Sequence, residues 1–325
     1  MSSFPYIFLF SSTLFIRTFL ALSASHWLII WVALELNMIS FVPLIIFSSW
    51  HQETEASIKY FLFQALGSRL LLLGSYSPSF FFLIILGIIV KLGMAPFHYW
   101  FPSVINSISW PICLLLTTWQ KIVPLFILIS ISTTLSSSIC LAIASLNTIV
   151  GGIGGLNQTQ IRPLLAYSSI SHIGWIIAAS PISSFVRATY FLIYTLTSIT
   201  LFLYLFFLNS TTPKLFSSTV LSRLLNILTL SLLLLSLGGL PPLTGFLPKW
   251  MVIASLDSLI SPTFLILGSL INLFYYLNIC LSSALRKARP VIKGSSSLSS
   301  FPLFIISTLL LPIFFVYALI LLNQP

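Results

Sequence analysis

Four ionisable side chains stand where the sequence is otherwise lipid-like: Glu35 in WVALELNMISF, Lys91 in IIVKLGMAPFHYW, Lys121 in LLTTWQKIVPL and Lys249 in TGFLPKW. A charge at the centre of a hydrocarbon core costs about 2.5–3.5 kcal/mol even on a lenient insertion scale, so each one calls for a reason. Lysine suits proton transfer because burial and a neighbouring carboxylate act on its proton affinity in opposite directions, and moving one partner shifts the proton on the other. Glu35 and Lys91 form an acid and base couple. Opposite charges about 4 Å apart attract by roughly 4 kcal/mol at an effective dielectric near 20, so the two are expected to approach across their spans and switch a proton toward Lys121. A structural ion pair, or a lysine reaching backbone carbonyls at a helix break, would use the same residues.

Two histidines join this set. His172 in AYSSISHIGW lies among Tyr167, Ser168, Ser169 and Ser171, a setting that suits a proton relay and, equally, a hydrogen-bonded packing histidine. His98 follows Pro96 in KLGMAPFHYWFP, where capping freed carbonyls is the favoured role. Arg17 and Arg69, closer to helix ends, are expected to snorkel and to serve structure.

The elements that must position these groups are membrane helices. The 325 residues are 58% hydrophobic and 6% charged, and the mean hydropathy is +1.10, which excludes a soluble domain. Eleven apolar runs are long enough to span a bilayer: 4–22, 26–48, 57–75, 79–97, 110–131, 135–154, 159–179, 185–208, 223–256, 262–284 and 299–322. The expected fold is an all-α polytopic membrane protein, one transmembrane domain over 1–325. ALSAS after the first run resembles a cleavage site, but Arg17 interrupts that run, which argues against a secretory signal.

No Gly-rich phosphate loop, CxxC pair or HExxH helix is present, so any nucleotide or cofactor site is expected in partner chains. Cys113, Cys140 and Cys280 are scattered and read as small apolar residues. The net charge of +10 reports orientation rather than nucleic-acid binding. Lys59, Arg162, Lys214, Arg223, Arg286, Lys287, Arg289 and Lys293 fall on the side of the N-terminus, with little beyond Arg187 opposite. The positive-inside rule then places the N-terminus on the cytoplasm-equivalent side and the C-terminus across the membrane.

Two of the runs must break. The run 223–256 would be about 50 Å long as one helix, and GGLPP interrupts it with Pro241 and Pro242. KLGMAPFHYWFP interrupts the fourth run in the same manner. Five runs precede the middle of the chain and five follow it, the fourth of each five broken. An odd count inverts the second copy, the transporter arrangement of inverted repeats: 1–131, then 135–284, with 299–322 as a C-terminal helix. Two similar breaks also arise by chance, because Gly and Pro are common in membrane helices.

HWLIIWVALELNMISFVPLI, EASIKYFLFQA, KLGMAPFHYWFPSV, TWQKIVPL, GGLNQTQIRPLLAYSSISHIGW and LSLGGLPPLTGFLPKW resemble, in order and spacing, the mitochondrial NADH dehydrogenase subunit 2 family. The resemblance covers most of residues 26–255 and implies an antiporter-like subunit in the membrane arm of respiratory complex I, in the inner mitochondrial membrane with the positive side facing the matrix. It implies that Glu35, Lys91, Lys121 and Lys249 translocate protons. It also implies that NADH, FMN, iron–sulfur clusters and ubiquinone are bound by partner subunits and none by this chain, whose neighbours are other membrane-arm subunits and lipid. Pro163 in IRPLL departs from a second basic residue there, Arg69 is unusual inside its run, and GSYSPS is a short connection. A stand-alone or Mrp-type cation/proton antiporter subunit would use the same buried charges, and a non-conducting scaffold would not need them.

Overall fold

The computed structural model describes residues 4–46, 51–132, 136–181, 183–208, 220–256 and 260–285, and among these it contains helices and no strand. The expected span 299–322 and the basic stretch 286–293 lie outside the described residues. In order the helices are α1 (Phe4–Ser23), α2 (Trp27–Ile45), α3 (His51–Tyr76), α4 (Phe81–Leu92), α5 (Trp100–Ser107), α6 (Trp110–Thr117) and α7 (Trp119–Ser132). They continue as α8 (Ser137–Leu156), α9 (Ile161–Ala178), α10 (Ser184–Leu208), α11 (Val220–Gly238), α12 (Phe246–Ala254) and α13 (Ile260–Leu285). Six helical stretches among the described residues are long and apolar enough to cross a membrane. α3 is not among them because His51 to Lys59 is polar and Arg69 interrupts its apolar half.

The runs 79–97 and 223–256 are interrupted, as their prolines require. Both first halves end alike. Gly93 has φ +65° and Gly239 φ +79°, a left-handed conformation that costs other residues about 1–2 kcal/mol. The next amide reaches back across the turn, Met94 to the Ile89 carbonyl at 3.1 Å and Leu240 to the Leu235 carbonyl at 3.4 Å, which closes a Schellman cap on each helix.

The run 110–131 departs from the expected single helix: it breaks at Thr118 into α6 and α7. Pro124 has no N–H to offer the Gln120 carbonyl, and the Thr117 and Thr118 hydroxyls bond back to the Cys113 and Leu114 carbonyls at 2.9 and 2.7 Å. Both effects loosen the helical ladder at that turn.

The chain divides into two compact units, with the boundary between Ile139 and Cys140. In the first, α3 packs against α2, α4 and α5, while α7 lies against α1, α4 and α6. The α3–α4 contact is backbone-close: a Cβ on Gly87 would sit 2.7 Å from the Gly67 carbonyl oxygen, and one on Gly67 2.9 Å from that of Gly87. Small residues permit such approach where no hydrophobic force drives membrane helices together. In the second unit α9 packs against α10, α12 and α13, and α11 against α10 and α13. α9 is buried along nearly its whole length, as a helix that is apolar on most sides must be. The three cysteines form no disulfide; Cys113 and Cys140 are buried and Cys280 is half-buried.

Candidate functional site

The polar work of the first unit begins at three consecutive residues of α2. Successive helical positions point about 100° apart, so Glu35, Leu36 and Asn37 address different neighbours. The half-buried Glu35 carboxylate accepts a hydrogen bond from the Ser68 hydroxyl of α3. The Leu36 carbonyl accepts one from the Arg17 guanidinium of α1. Asn37 Nδ2 donates to Gln120 Oε1 of α7 at 2.8 Å. Arg17 is thus a tie between α1 and α2 rather than a side chain extended to the membrane surface.

Lys91 lies in the last turn of α4 and is buried, with its stem against Gly67. Its carbonyl accepts a hydrogen bond from Gln64 Nε2 at 3.1 Å, and that of Val90 accepts one from Trp100 Nε1 at 3.1 Å. Gln64 thus supplies a side-chain donor to a carbonyl of the last helical turn, and Trp100 adds one to the Val90 carbonyl, which also accepts the Gly93 amide at 3.2 Å. Lys121 is the third residue of α7, buried, with Nζ 4.6 Å from the centroid of the Phe101 ring. A desolvated ammonium over an aromatic face is stabilised by the ring quadrupole, which helps an apolar site hold it. Lys91 and Lys121 line one cavity of about 20 Å³ together with Tyr60, Gln64, Phe101 and Gln120. A volume above about 10–15 Å³ accommodates a water molecule, and this one has amide and hydroxyl groups to bond it.

Glu35 and Lys91 do not meet as expected: among the described residues they form no ion pair within 4.0 Å. The reason is α3, which packs on both α2 and α4. It offers Ser68 to the carboxylate and Gly67 to the lysine stem.

In the second unit Lys249 is the fourth residue of α12 and is buried. Its ammonium donates to the Gly238 carbonyl at 2.7 Å, the last residue of α11, and lies 5.9 Å from the Trp175 ring centroid. A cation at a helix C-terminus meets the negative end of the helix dipole, so the break itself creates the lysine's site. Three residues before Trp175 on α9, His172 is hydrogen-bonded through Nδ1 to Tyr190 Oη at 3.0 Å, and its ring centroid lies 5.0 Å from that of Tyr194. A smaller cavity of about 10 Å³ joins His172, Tyr190 and Tyr194 to Ser236, Gly245 and Pro248 of the broken segment, at the lower limit for a water molecule. His98 sits on the connection between α4 and α5, hydrogen-bonded to the backbone of Pro96 with its ring 4.1 Å from that of Tyr99. That is a contact within the turn that joins the two helices.

Sequence reasoning missed Ser68, Gln64, Gln120, Tyr60 and Trp100. Each is neutral, so none carries the energetic warning that a charge in an apolar run does, although Gln64 and Gln120 are polar enough within their runs to have been noticed.

Comparison with known proteins gives a family model described as NADH:quinone oxidoreductase/Mrp antiporter, TM, which matches residues 24–77 and 75–274. The chain is 43% identical to NADH-ubiquinone oxidoreductase chain 2 of Lumbricus terrestris over 299 residues, covering 86% of this chain and 87% of that one. It is 38% identical to the protein of the same name from Genetta servalina over 340 residues, covering 95% and 97%. Among solved structures, a chain of respiratory complex I from Thermus thermophilus, determined with bound aureothin, superposes with a TM-score of 0.81 at 24% identity, covering 93% of this chain and 76% of that one. That likeness speaks to the fold.

Proposed function

The chain belongs to the NADH:quinone oxidoreductase/Mrp antiporter membrane family, alongside relatives named NADH-ubiquinone oxidoreductase chain 2, and we propose that it is a proton-translocating membrane-arm subunit of NADH:ubiquinone oxidoreductase, respiratory complex I. The observation that carries the proposal is the cavity shared by Lys91 and Lys121 at two broken helices. A proton on Lys91 Nζ passes to a water in that cavity and on to Lys121 Nζ, with Tyr60, Gln64 and Gln120 orienting the water. Glu35, anchored on Ser68, acts on Lys91 through space and across α3 rather than by contact, so its charge state biases which lysine holds the proton. In the second unit Lys249 holds a proton against the Gly238 carbonyl and the Trp175 face, and His172 with Tyr190 forms a hydroxyl–imidazole step beside the same break.

Hydride and electron chemistry belong to partner subunits, which bind NADH, FMN, iron–sulfur clusters and ubiquinone. The support is that the sequence lacks a phosphate loop or cluster-ligand spacing. The matching Schellman caps at Gly93 and Gly239 support reading the chain as two five-helix repeats, 1–131 and 135–284. The remaining run, 299–322, lies outside the described residues. We place the protein in the inner mitochondrial membrane, N-terminus to the matrix and C-terminus to the intermembrane space, among other antiporter-like subunits.

An Mrp-type cation/proton antiporter would use the same lysines. Relatives 37–43% identical over most of the chain favour the complex I reading. The test is a native gel of solubilised membranes. The chain should migrate with NADH-oxidising activity; migration apart from that activity, with sodium-dependent proton exchange in reconstituted vesicles, would favour the antiporter.

A further inference from the structure

Arg69 is a cation that the site does not use. It lies in α3 and its side chain is exposed. Among the described residues it makes no hydrogen bond or ion pair, whereas the neighbouring Ser68 turns inward to Glu35. Its depth follows from the helix. Lys59 and Glu55 form an exposed ion pair at 2.6 Å in the polar first turns of α3, a pattern that belongs at a membrane surface. Ten residues further on at about 1.5 Å each, Arg69 lies about 15 Å deeper, the middle of a hydrocarbon core about 30 Å thick. An arginine side chain does not span that distance to the near surface. The turn at residues 77–79 begins about 12 Å beyond it along the helix, and helical side chains lean toward the N-terminus, away from that turn.

The surroundings of Arg69 are those of a packing surface. Ile58, Leu62, Leu66 and Leu73 are 60%, 55%, 51% and 55% exposed, and at 100° per residue they fall with Arg69 inside one stripe about 80° wide. Gly67, Leu71 and Gly74 face the opposite way, into the unit. A guanidinium at midplane depth has no place against acyl chains, and its planar fork matches a carboxylate in two parallel hydrogen bonds.

We propose that this stripe of α3 is the docking face for a transmembrane helix of a neighbouring subunit that carries an aspartate or glutamate opposite Arg69. The aliphatic residues on either side supply the packing, and the buried ion pair fixes the register of the two helices. The proposal rests on the membrane-arm reading only in requiring a neighbouring chain.

The experiment uses Arg69→Lys and Arg69→Leu in the native membrane, treated with dicyclohexylcarbodiimide, which condenses an amine with a carboxylate to an amide. Mass spectrometry of Arg69→Lys should find position 69 joined to an acidic residue in a membrane segment of another chain, with no such product from Arg69→Leu. In a detergent titration read on native gels, Arg69→Leu should lose the neighbour several-fold more readily than the unsubstituted chain, and Arg69→Lys should recover part of the difference. Absence of the cross-link together with unchanged detergent resistance in Arg69→Leu would overturn the proposal. So would a phospholipid retained by the unsubstituted chain and lost from Arg69→Leu without a carboxylate cross-link, since the anion would then be a lipid headgroup. The cross-link is read in whatever assembly the chain occupies, so its outcome is separable from that of the complex I reading.

Discussion

At the scale of single residues, each charge is defined by what holds it. Glu35 hydrogen-bonds Ser68 and forms no ion pair with Lys91 within 4.0 Å, so its influence is that of a charge and not of a strut. Glu35→Gln keeps an oxygen that accepts the Ser68 hydroxyl and removes only the charge. Coupled quinone reduction should fall about tenfold or more, on the scale of a lost acid–base group, with assembly intact on native gels. Ser68→Ala removes the anchor and keeps the charge: a hydrogen bond to a carboxylate contributes about 1.5–3 kcal/mol, so this variant should lose stability, while its coupled rate falls less than that of Glu35→Gln. A larger defect in Ser68→Ala than in Glu35→Gln would reverse that assignment. The sequence marks Glu35 because a carboxylate in an apolar run is costly. It does not mark Ser68 or Gln64, whose hydrogen bonds depend on which helix lies alongside.

At the scale of elements, three helix breaks position the buried lysines, two in the first unit and one in the second, and they differ in how far the sequence exposes them. GGLPP and GMAP carry proline and glycine at the turn itself, so the ends of α4 and α11 can be read directly. The break between α6 and α7 has no such mark: Pro124 lies six residues beyond Thr118, and the threonines loosen the helix by bonding back to it. The expected approach of Glu35 to Lys91 fails for a related reason. Helix neighbours are set by Gly67 and Gly87, which bring α3 against α4, and glycine in a membrane run has many uses. The breaks themselves give a sharp contrast. A Cβ on Gly239 would lie 3.0 Å from both Cδ and Nζ of Lys249, in a left-handed conformation, whereas one on Gly238 would meet nothing closer than 3.4 Å. Gly239→Ala should therefore cost about 1–2 kcal/mol of strain, push Lys249 from the Gly238 carbonyl and lower coupled activity several-fold. Gly238→Ala should be neutral in both thermal stability and coupled rate. Equal behaviour of the two variants would remove the break from the mechanism. Trp100→Phe removes one of two donors to the Val90 carbonyl, which keeps the Gly93 amide, and should lower stability by about 1 kcal/mol in thermal unfolding of the detergent-solubilised complex.

At the scale of the whole molecule, composition alone indicates a membrane protein, and the order of its motifs indicates the family. Orientation rests on the unequal distribution of Lys and Arg. The 157–163 loop, with Arg162, should be cut by protease in inverted inner-membrane vesicles and protected in intact mitoplasts, and cleavage in mitoplasts would reverse the topology. What the sequence left open is how neutral side chains connect the charges, because that connection is made of packing and of a cavity large enough for a water molecule. Lys121 passes on a proton received across this cavity, and Lys121→Met, which keeps bulk and removes the proton site, is the variant that bears on that step. In the assembled complex, NADH oxidation by an artificial electron acceptor should be unchanged, while NADH:ubiquinone turnover falls about tenfold or more and proton yield drops with it. Full coupled turnover with an unchanged proton yield in that assembled variant would contradict the account.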